Sequence, residues 1–512
     1  MLISGPAGPK DRTGIWVVAS TGNELQKLRD DAWAAVPSPD GSRIAFTRAR
    51  AGAELWVMTS GGEQSHRVFT APAGYGLMDP IAWSADGRRL VFGSRNRAGT
   101  DSRILGADLD SGGTVEILSE PTVQSFTWAR DGRLVYTRLE SRMNLWDSNL
   151  WEVMLDARTM RVRGKPRRLS HWTDFNCMRL DMSADGKRLS FIRDRLGSNV
   201  YLLDLVGKGV QPPAPQRLTV DRWIDWPSAW TPDGRSVLFH SNRNGALGVF
   251  RRTVENVPGY GDPILPGEGR SKDARISPDG RWILYIAWTE GTDQEQPIQG
   301  RLMRKPISGG VPQMVFPVSG HPGPAADENL GYRPVPFLTL YGGEGNPRYR
   351  CPSVADKPCV LSEKLENEIV FTAFDPLQGK KNEVARIGVE RSRPYFWDLS
   401  PDGRRIAFGT CDEASSRIRI VTLSGEALRE ISVKGWTNLG SVSWAIDGNT
   451  FFAAAWASKG SSLLRISPDG EAQTLYRSSF HVENPIASPD GRKLAFGEVF
   501  ADANVWLLDH LR

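Results

Sequence analysis

The chain has 512 residues, with 64 Lys and Arg against 59 Asp and Glu and a formal charge of +5. A balance this close suits a soluble surface and gives little support for nucleic-acid binding, which normally needs a concentrated basic face. A hydrophobic fraction of 40%, with 18 Trp and 19 Phe, excludes disorder over the whole length and supplies a large core.

The chain opens MLISGPAGPKDRTGIWVV, without the basic head and apolar run of a secretory signal. Residues 2–5 read as a strand already under way, so we expect an upstream part of a longer architecture, with residues 2–28 as a headless first unit. From Ser38 a pattern begins that organises everything after it. A short apolar stretch leads into Ser/Thr-Pro/Ala-Asp-Gly, then one or two polar residues, then an alternating apolar strand. It reads SPDGSRIAF at Ser38, SADGRRLVF at Ser84, ARDGRLVY at Ala129, SADGKRLSF at Ser183, TPDGRSVLF at Thr231 and SPDGRWILY at Ser277. SPDGRRIAF at Ser400, AIDGNTFF at Ala445 and SPDGRKLAF at Ser488 complete the nine copies. The turn pairs are Asp40-Gly41, Asp86-Gly87, Asp131-Gly132, Asp185-Gly186, Asp233-Gly234, Asp279-Gly280, Asp402-Gly403, Asp447-Gly448 and Asp490-Gly491. They recur every 43–54 residues, apart from one gap of 123.

Each pair predicts a tight hairpin. Pro presets a turn φ, Asp accepts hydrogen bonds from nearby N–H groups, and Gly takes the left-handed geometry that closes the turn. After the second strand an Arg/Asn/Gly turn is expected, as in TRARAG at Thr47, GSRNRAG at Gly93, IRDRLG at Ile192 and HSNRNG at His240. A third strand follows, as in ELWVM at Glu54, NVYLLD at Asn199 and NVWLLD at Asn504, and then a Gly-rich turn and a fourth strand. The further SPDG at Ser467 falls at half the period and belongs to that later turn. Four short strands per repeat, with no helix-length amphipathic stretch between them, predict an all-β fold: a β-propeller of about ten four-stranded repeats. The long gap contains a degenerate copy, RCPSVADKPCVLSE from Arg350, with outer strands at 368–375 and 383–387. An insertion at about 318–348 remains, carrying the apolar run FLTLY at Phe337. Counting seven hairpins back from the C terminus divides the chain into N-terminal blades, 1–144, as part of one ring, and a seven-bladed propeller, 145–512. One large ring is the alternative. A ring fastened by pairing an early strand with the last repeat is also expected.

Chemistry is sparse. The six histidines form no HExxH or close ligand set, and each Asp-Gly turn offers one carboxylate where calcium takes six to eight oxygens, so no metal is expected. The G-x-S-x-G elbow, the kinase motifs, the P-loop and the dinucleotide fingerprint are all missing, so neither a cofactor nor a catalytic residue is assigned. Cys351 and Cys359, eight apart, either pack in adjacent strands or form a disulfide. Arg48, Arg95, Arg193 and Arg243 recur after second strands and read as structural. The most apolar short stretch, FFAAAW at Phe451, is far short of the ~20 residues of a membrane helix, so no insertion is expected. Trp83, Trp128, Trp230 and Trp444 share the place before the turn. Trp223, Trp226, Trp288 and Trp436 break that register and are the candidates for an interface.

The SPDGRRIAF and SPDGRKLAF units resemble the TolB-type WD40-like (PD40) β-propeller repeat family, with weaker copies across nearly the whole chain. Residues 350–509, including FTAFDPLQGKKNEVARI, FWDLSPDGRRIAF and VKGWTNLGSVSWAIDG, also resemble propeller regions of acidobacterial receptor-like serine/threonine kinases and winged-helix regulators. The resemblance implies a sensing or protein-binding module on the periplasmic or extracytoplasmic side, with a separate N-terminal effector doing the signalling. The expectation is therefore a non-catalytic module for protein or peptide binding or ligand sensing, as part of a bacterial signalling protein. Two alternatives stand beside it: a propeller hydrolase or lyase with dispersed active-site residues, and a structural accessory domain of a peptidase or kinase.

Overall fold

Each Asp-Gly turn is closed by its own side chains. At the first, Ser38 Oγ donates to Asp40 Oδ1 (2.6 Å), which also accepts the Ser42 N–H (3.1 Å). The Arg43 N–H donates to Ser38 Oγ (3.0 Å), and Gly41, at φ +72°, donates to the Ser38 carbonyl (2.8 Å). These bonds hold the Asp40 carboxyl down at about 2. Ser84, Ser183, Thr231, Ser277, Ser400 and Ser488 repeat the hydroxyl-to-Asp bond at 2.5–2.6 Å. Where Ala445 replaces the hydroxyl, Asp447 accepts the N–H groups of Asn449 (2.9 Å) and Thr450 (2.8 Å) instead. Six residues beyond the Asp in seven of the copies comes an aromatic side chain: Phe46, Phe92, Phe191, Phe239, Tyr285, Phe408 and Phe496 are all 2% exposed or less. Its neighbours alternate toward the other face of the sheet and are buried too, because each sheet is covered on both faces.

The computed structural model describes residues 2–509 except 6–13, 19–24, 49–52, 97–100, 141–147, 174, 206–211, 221–222, 245–246, 256–257, 266–269, 289–297, 321–346, 366, 391–393, 413–415 and 458–459. Among them every regular element is a strand, and the strands form ten antiparallel sheets, eight with four strands in sequence order. The protein is all-β, a succession of propeller blades.

Two compact units result, Met1–Arg195 with Asp502–Arg512, and Leu196–Ala501. The first holds a three-stranded sheet (Leu2–Gly5, Gly14–Val18, Leu25–Asp30) and three four-stranded sheets beginning at Ala32–Pro37, Tyr75–Trp83 and Val123–Trp128. It also holds Asn176–Met182, paired with residues 189–194 of the next strand. The second holds five four-stranded sheets beginning at Asp225–Trp230, Arg270–Ile276, Arg348–Arg350, Tyr395–Leu399 and Leu439–Trp444. Its sixth blade is assembled from both ends of the unit. His481–Ala487 pairs with the first half of Lys493–Asp509, that half lies beside the last part of Arg188–Asp204, and Gln216–Arg217 adds the outer strand. An early strand thus completes the last sheet, and the ring closes where that sheet meets the first: Trp230 Nε1 donates to the Ile486 carbonyl (3.0 Å) and Asn484 Nδ2 to that of Pro227 (2.5 Å).

Three expectations change. The division at 144/145 falls in 141–147, outside the described residues, and the strands on either side of it, Arg133–Leu139 and Ser148–Leu155, pair in one sheet. A boundary there would split a blade; the units part at 195/196 instead. The second unit has six blades where seven were expected, because the Ser183 hairpin belongs to the first unit. The turn expected at IRDRLG is not a turn: Arg188–Asp204 is one 17-residue strand, as is Lys493–Asp509. The degenerate repeat forms a blade as expected, its third strand being Glu368–Asp375, and Cys351 and Cys359 are disulfide-bonded. Most of the insertion at 318–348, including the run at Phe337, lies outside the described residues.

The turns also touch from blade to blade. A methyl group on Gly280 would lie 3.8 Å from Pro232 of the preceding turn, an ordinary contact, but on Gly403 it would lie 3.0 Å from Pro352 and 3.1 Å from Lys357. Both glycines have left-handed φ, +71° and +67°. Gly280→Ala should therefore cost only the backbone term, about 1 kcal/mol. Gly403→Ala should cost clearly more, because two neighbouring side chains must also shift. Denaturant melts of the two variants would test the order, and equal midpoints would contradict it.

Candidate functional site

The first strand of each blade lies innermost in the second unit, where the first strands of neighbouring blades meet. Several of these strands bulge: the register shifts between Pro227 and Ala229, Lys272 and Arg275, Leu439 and Ser441, and Glu483 and Ile486. A bulge re-aims side chains that a regular pleat would send into the blade interface. Asp273 and Asn484 sit in such bulges with φ of +55° and +49°, geometry uncommon for residues other than glycine.

The strands enclose a cavity of about 110 Å³. Its aromatic wall is Trp226, Phe396 and Trp397; its polar groups include His240, Asp273, Arg275, Arg348, Arg350, Glu483 and Asn484. Trp226 stacks on His240, with ring centroids 6.1 Å apart and planes at 10°. Arg350 connects two carboxylates, its Nε 3.2 Å from Asp398 and its Nη1 3.6 Å from Asp273. Arg275 Nη2 lies 3.4 Å from the same Asp273. Tyr349 donates its hydroxyl to the Asp273 carbonyl (2.6 Å), and Asp398 also accepts the Trp444 N–H (2.8 Å).

Burial is the main electrostatic influence here. It pushes the Asp398 carboxyl upward against the pull of Arg350, and raises Tyr349 well above the usual phenol value. It lowers Arg275, and the like charge of Arg350 lowers it further. Behind the cavity, Arg243 holds the fully buried Asp225 through both carboxylate oxygens, at 2.9 and 3.0 Å. The arrangement offers guanidinium N–H donors beside aromatic faces in a small space. Among the described residues no group of three or more His, Cys, Asp or Glu gathers as a metal site would require.

Of the four interface tryptophans, the structure brings Trp226 to the cavity. Trp223 is half-buried ahead of that strand. Trp288 packs against the cluster of Leu284, Leu302 and Phe316, and Trp436 against that of Ile431, Leu439 and Trp444. The Asp-Gly turns stay at the blade ends as structural caps. Sequence reasoning missed Asp273, Arg275, Arg350, Glu483 and Asn484. Their signal was a charged or amide residue in the strand just before the turn motif, as in KDARISPDG and VENPIASPDG.

No family model matches the chain. An uncharacterized protein of Agrobacterium fabrum, Atu1656, is 26% identical over 139 residues, which are 26% of this chain and 41% of the relative. The chain thus spans about two fifths of the length of the curated relative it matches. Among solved structures, oligogalacturonate lyase from Vibrio parahaemolyticus is 10% identical, with 71% of this chain and 82% of that chain covered and a TM-score of 0.32. TolB from Acinetobacter baumannii is 13% identical, with 75% and 78% covered and a TM-score of 0.21. The propeller fold follows from the strand pairing and turn contacts, independently of these scores.

Two consequences can be measured. Arg243→Met removes the guanidinium that grips both oxygens of the buried Asp225 carboxylate and should destabilise the second unit by about 3–5 kcal/mol, the usual result of removing one partner of a buried pair. A denaturation midpoint unchanged in this variant would contradict that. In the first unit, burial raises Asp194 from 3.8 to about 6. The folded state then keeps a proton that the unfolded chain releases, so stability is greatest below pH 4 for this group and is lost as pH rises toward 6. Asp194→Asn should remove that loss, raising the melting temperature at pH 7 relative to the parent while leaving it little changed at pH 4; an unaltered pH profile would overturn the assignment.

Proposed function

We propose that the chain is a recognition propeller that binds a protein or peptide at the channel cavity of its second unit, without turnover. The observation that supports this is the cavity itself: six blades converge rigid backbone, aromatic walls and guanidinium donors on about 110 Å³. Ligand pockets for whole small molecules run to roughly 300–1,000 Å³, so this one suits a side chain or chain end presented by something larger. Each inner strand is paired along one edge with the second strand of its blade and packs against neighbouring inner strands, which holds the donors before the partner arrives and lowers the ordering cost of binding. The likeness of residues 350–509 to propeller regions of receptor-like kinases fits a sensor role within a signalling protein. The Cys351–Cys359 disulfide supports an oxidising, extracytoplasmic compartment.

Crosslinking and mass spectrometry in the source cells would test this, comparing the parent chain with Ser441→Phe, which fills the cavity from the strand Leu439–Trp444. The parent should recover a specific partner, and the variant should lose it at least tenfold while still melting cooperatively. Recovery that is equal in both, or a partner cleaved on incubation, would reject the reading.

A further inference from the structure

Resting on the cavity as the binding site, we propose that the group it receives is a single carboxylate, held by the guanidinium of Arg275 with Arg350 beside it. Around that wall Arg275, Arg348 and Arg350 stand with Asp273, Asp398 and Glu483, so overall charge does not single out a guanidinium; contact geometry does. Asp273 lies 3.4 Å from Arg275 Nη2 and 3.6 Å from Arg350 Nη1. A normal hydrogen bond of this kind is about 2.7–3.2 Å, so neither arginine is satisfied by Asp273. Arg275 Nε is buried with no hydrogen-bond partner among the described residues. Unlike Arg350, which also bonds Asp398 and the Tyr349 carbonyl (2.9 Å), Arg275 has donors left over and faces the cavity.

The ligand is limited in charge and size. Glu483 lies in the same cavity, 3.4 Å from His481, and its carboxylate opposes a dianion such as phosphate. A volume of about 110 Å³ accommodates roughly four heavy atoms, a carboxylate and the carbon that bears it, on the measure that a water takes about 30 Å³. Trp226, Phe396 and Trp397 provide the apolar wall for that carbon. An acidic side chain and a peptide's C-terminal residue both present this group, and the planar guanidinium fork fits either.

The purified full chain would be titrated with N-acetyl-L-alanine, which mimics a chain end, with the α-amide of N-acetyl-L-aspartate, which mimics an acidic side chain, and with neutral N-acetyl-L-alaninamide. Saturation-transfer NMR and tryptophan fluorescence would read binding. At least one of the two acids should bind, at least tenfold more tightly than the neutral amide, and the one that binds identifies the source of the carboxylate. Arg275→Gln should weaken that acid at least tenfold, and Arg275→Lys should restore part of it, whereas Arg301→Gln on an outer strand should change nothing. Neutral amide bound as tightly as the acids, no binding by either acid, or full acid binding by Arg275→Gln would overturn the carboxylate assignment. If Ser441→Phe still loses the cellular partner in such a case, the cavity remains the binding site and only its chemistry was misassigned.

Discussion

The structure depends on how one Asp-Gly turn grips the next. The Arg after the turn reaches across the blade boundary: Arg43 Nη2 donates to the Gly87 carbonyl (2.6 Å), Arg133 to that of Gly186 (2.6 Å) and Arg405 to that of Gly448 (2.8 Å). The same guanidiniums cover the Trp before the following turn, Arg43 over Trp83 at 5.5 Å and Arg405 over Trp444 at 5.0 Å. Those indoles donate back to the preceding inner strand, Trp83 to the Val36 carbonyl (3.0 Å) and Trp444 to that of Asp398 (3.4 Å). Burial between blades supplies most of the stabilisation, at roughly 25 cal/mol per Å² of apolar surface, but it is indifferent to sliding. Hydrogen bonds with charged donors are directional and contribute about 1.5–3 kcal/mol each when shielded, so they fix the offset of one blade on its neighbour. That offset decides whether the inner strands converge on a cavity or miss one another.

The blade at Arg348–Arg350 departs from this scheme. It has no Asp-Gly turn, and the Cys351–Cys359 disulfide closes the hairpin where hydroxyl and carboxylate do so elsewhere. Pro352 nonetheless takes up the standard contact with the next turn at Gly403. The covalent closure begins one residue after Arg350, which places a rigid crosslink directly beside the guanidinium that ties Asp273 to Asp398. A cavity residue is thus held by the strongest local constraint in its blade.

The hairpins, the strand content and even the degenerate repeat were legible because each rests on neighbours within ten residues: turn chemistry, period-2 alternation and a buried aromatic six places on. The ring was not. NVYLLD at Asn199 and NVWLLD at Asn504 look like the same third strand in successive repeats, yet each continues, without the expected turn, from the second strand before it. Residues 188–204 and 493–509 run beside each other, with the Leu205 N–H donating to the Arg492 carbonyl (2.7 Å) and Arg188 paired with Asp509 (3.2 Å). Pairing across some three hundred residues has no local signature. The repeat count, which is local, accordingly came out near the number of sheets but misallocated the Ser183 hairpin between units.

The cavity was hidden for the same reason, since its walls come from Trp226 through Asn484 and meet only on closure. Backbone geometry shapes it as well as charge. In the Asp-Gly turns the left-handed position is the glycine. In the second unit the described residues other than glycine with left-handed φ are Asp273, Asn438 and Asn484. Two of them line the cavity, and the third immediately precedes the inner strand Leu439–Trp444. Such a residue costs on the order of 1–3 kcal/mol, which a glycine would avoid. The same geometry recurs at Ala34 and Arg179 in first-strand bulges of the first unit, so it belongs to the bulge of the blade, and in the second unit it places Asp273 and Asn484 on the cavity wall beside an unsatisfied buried arginine.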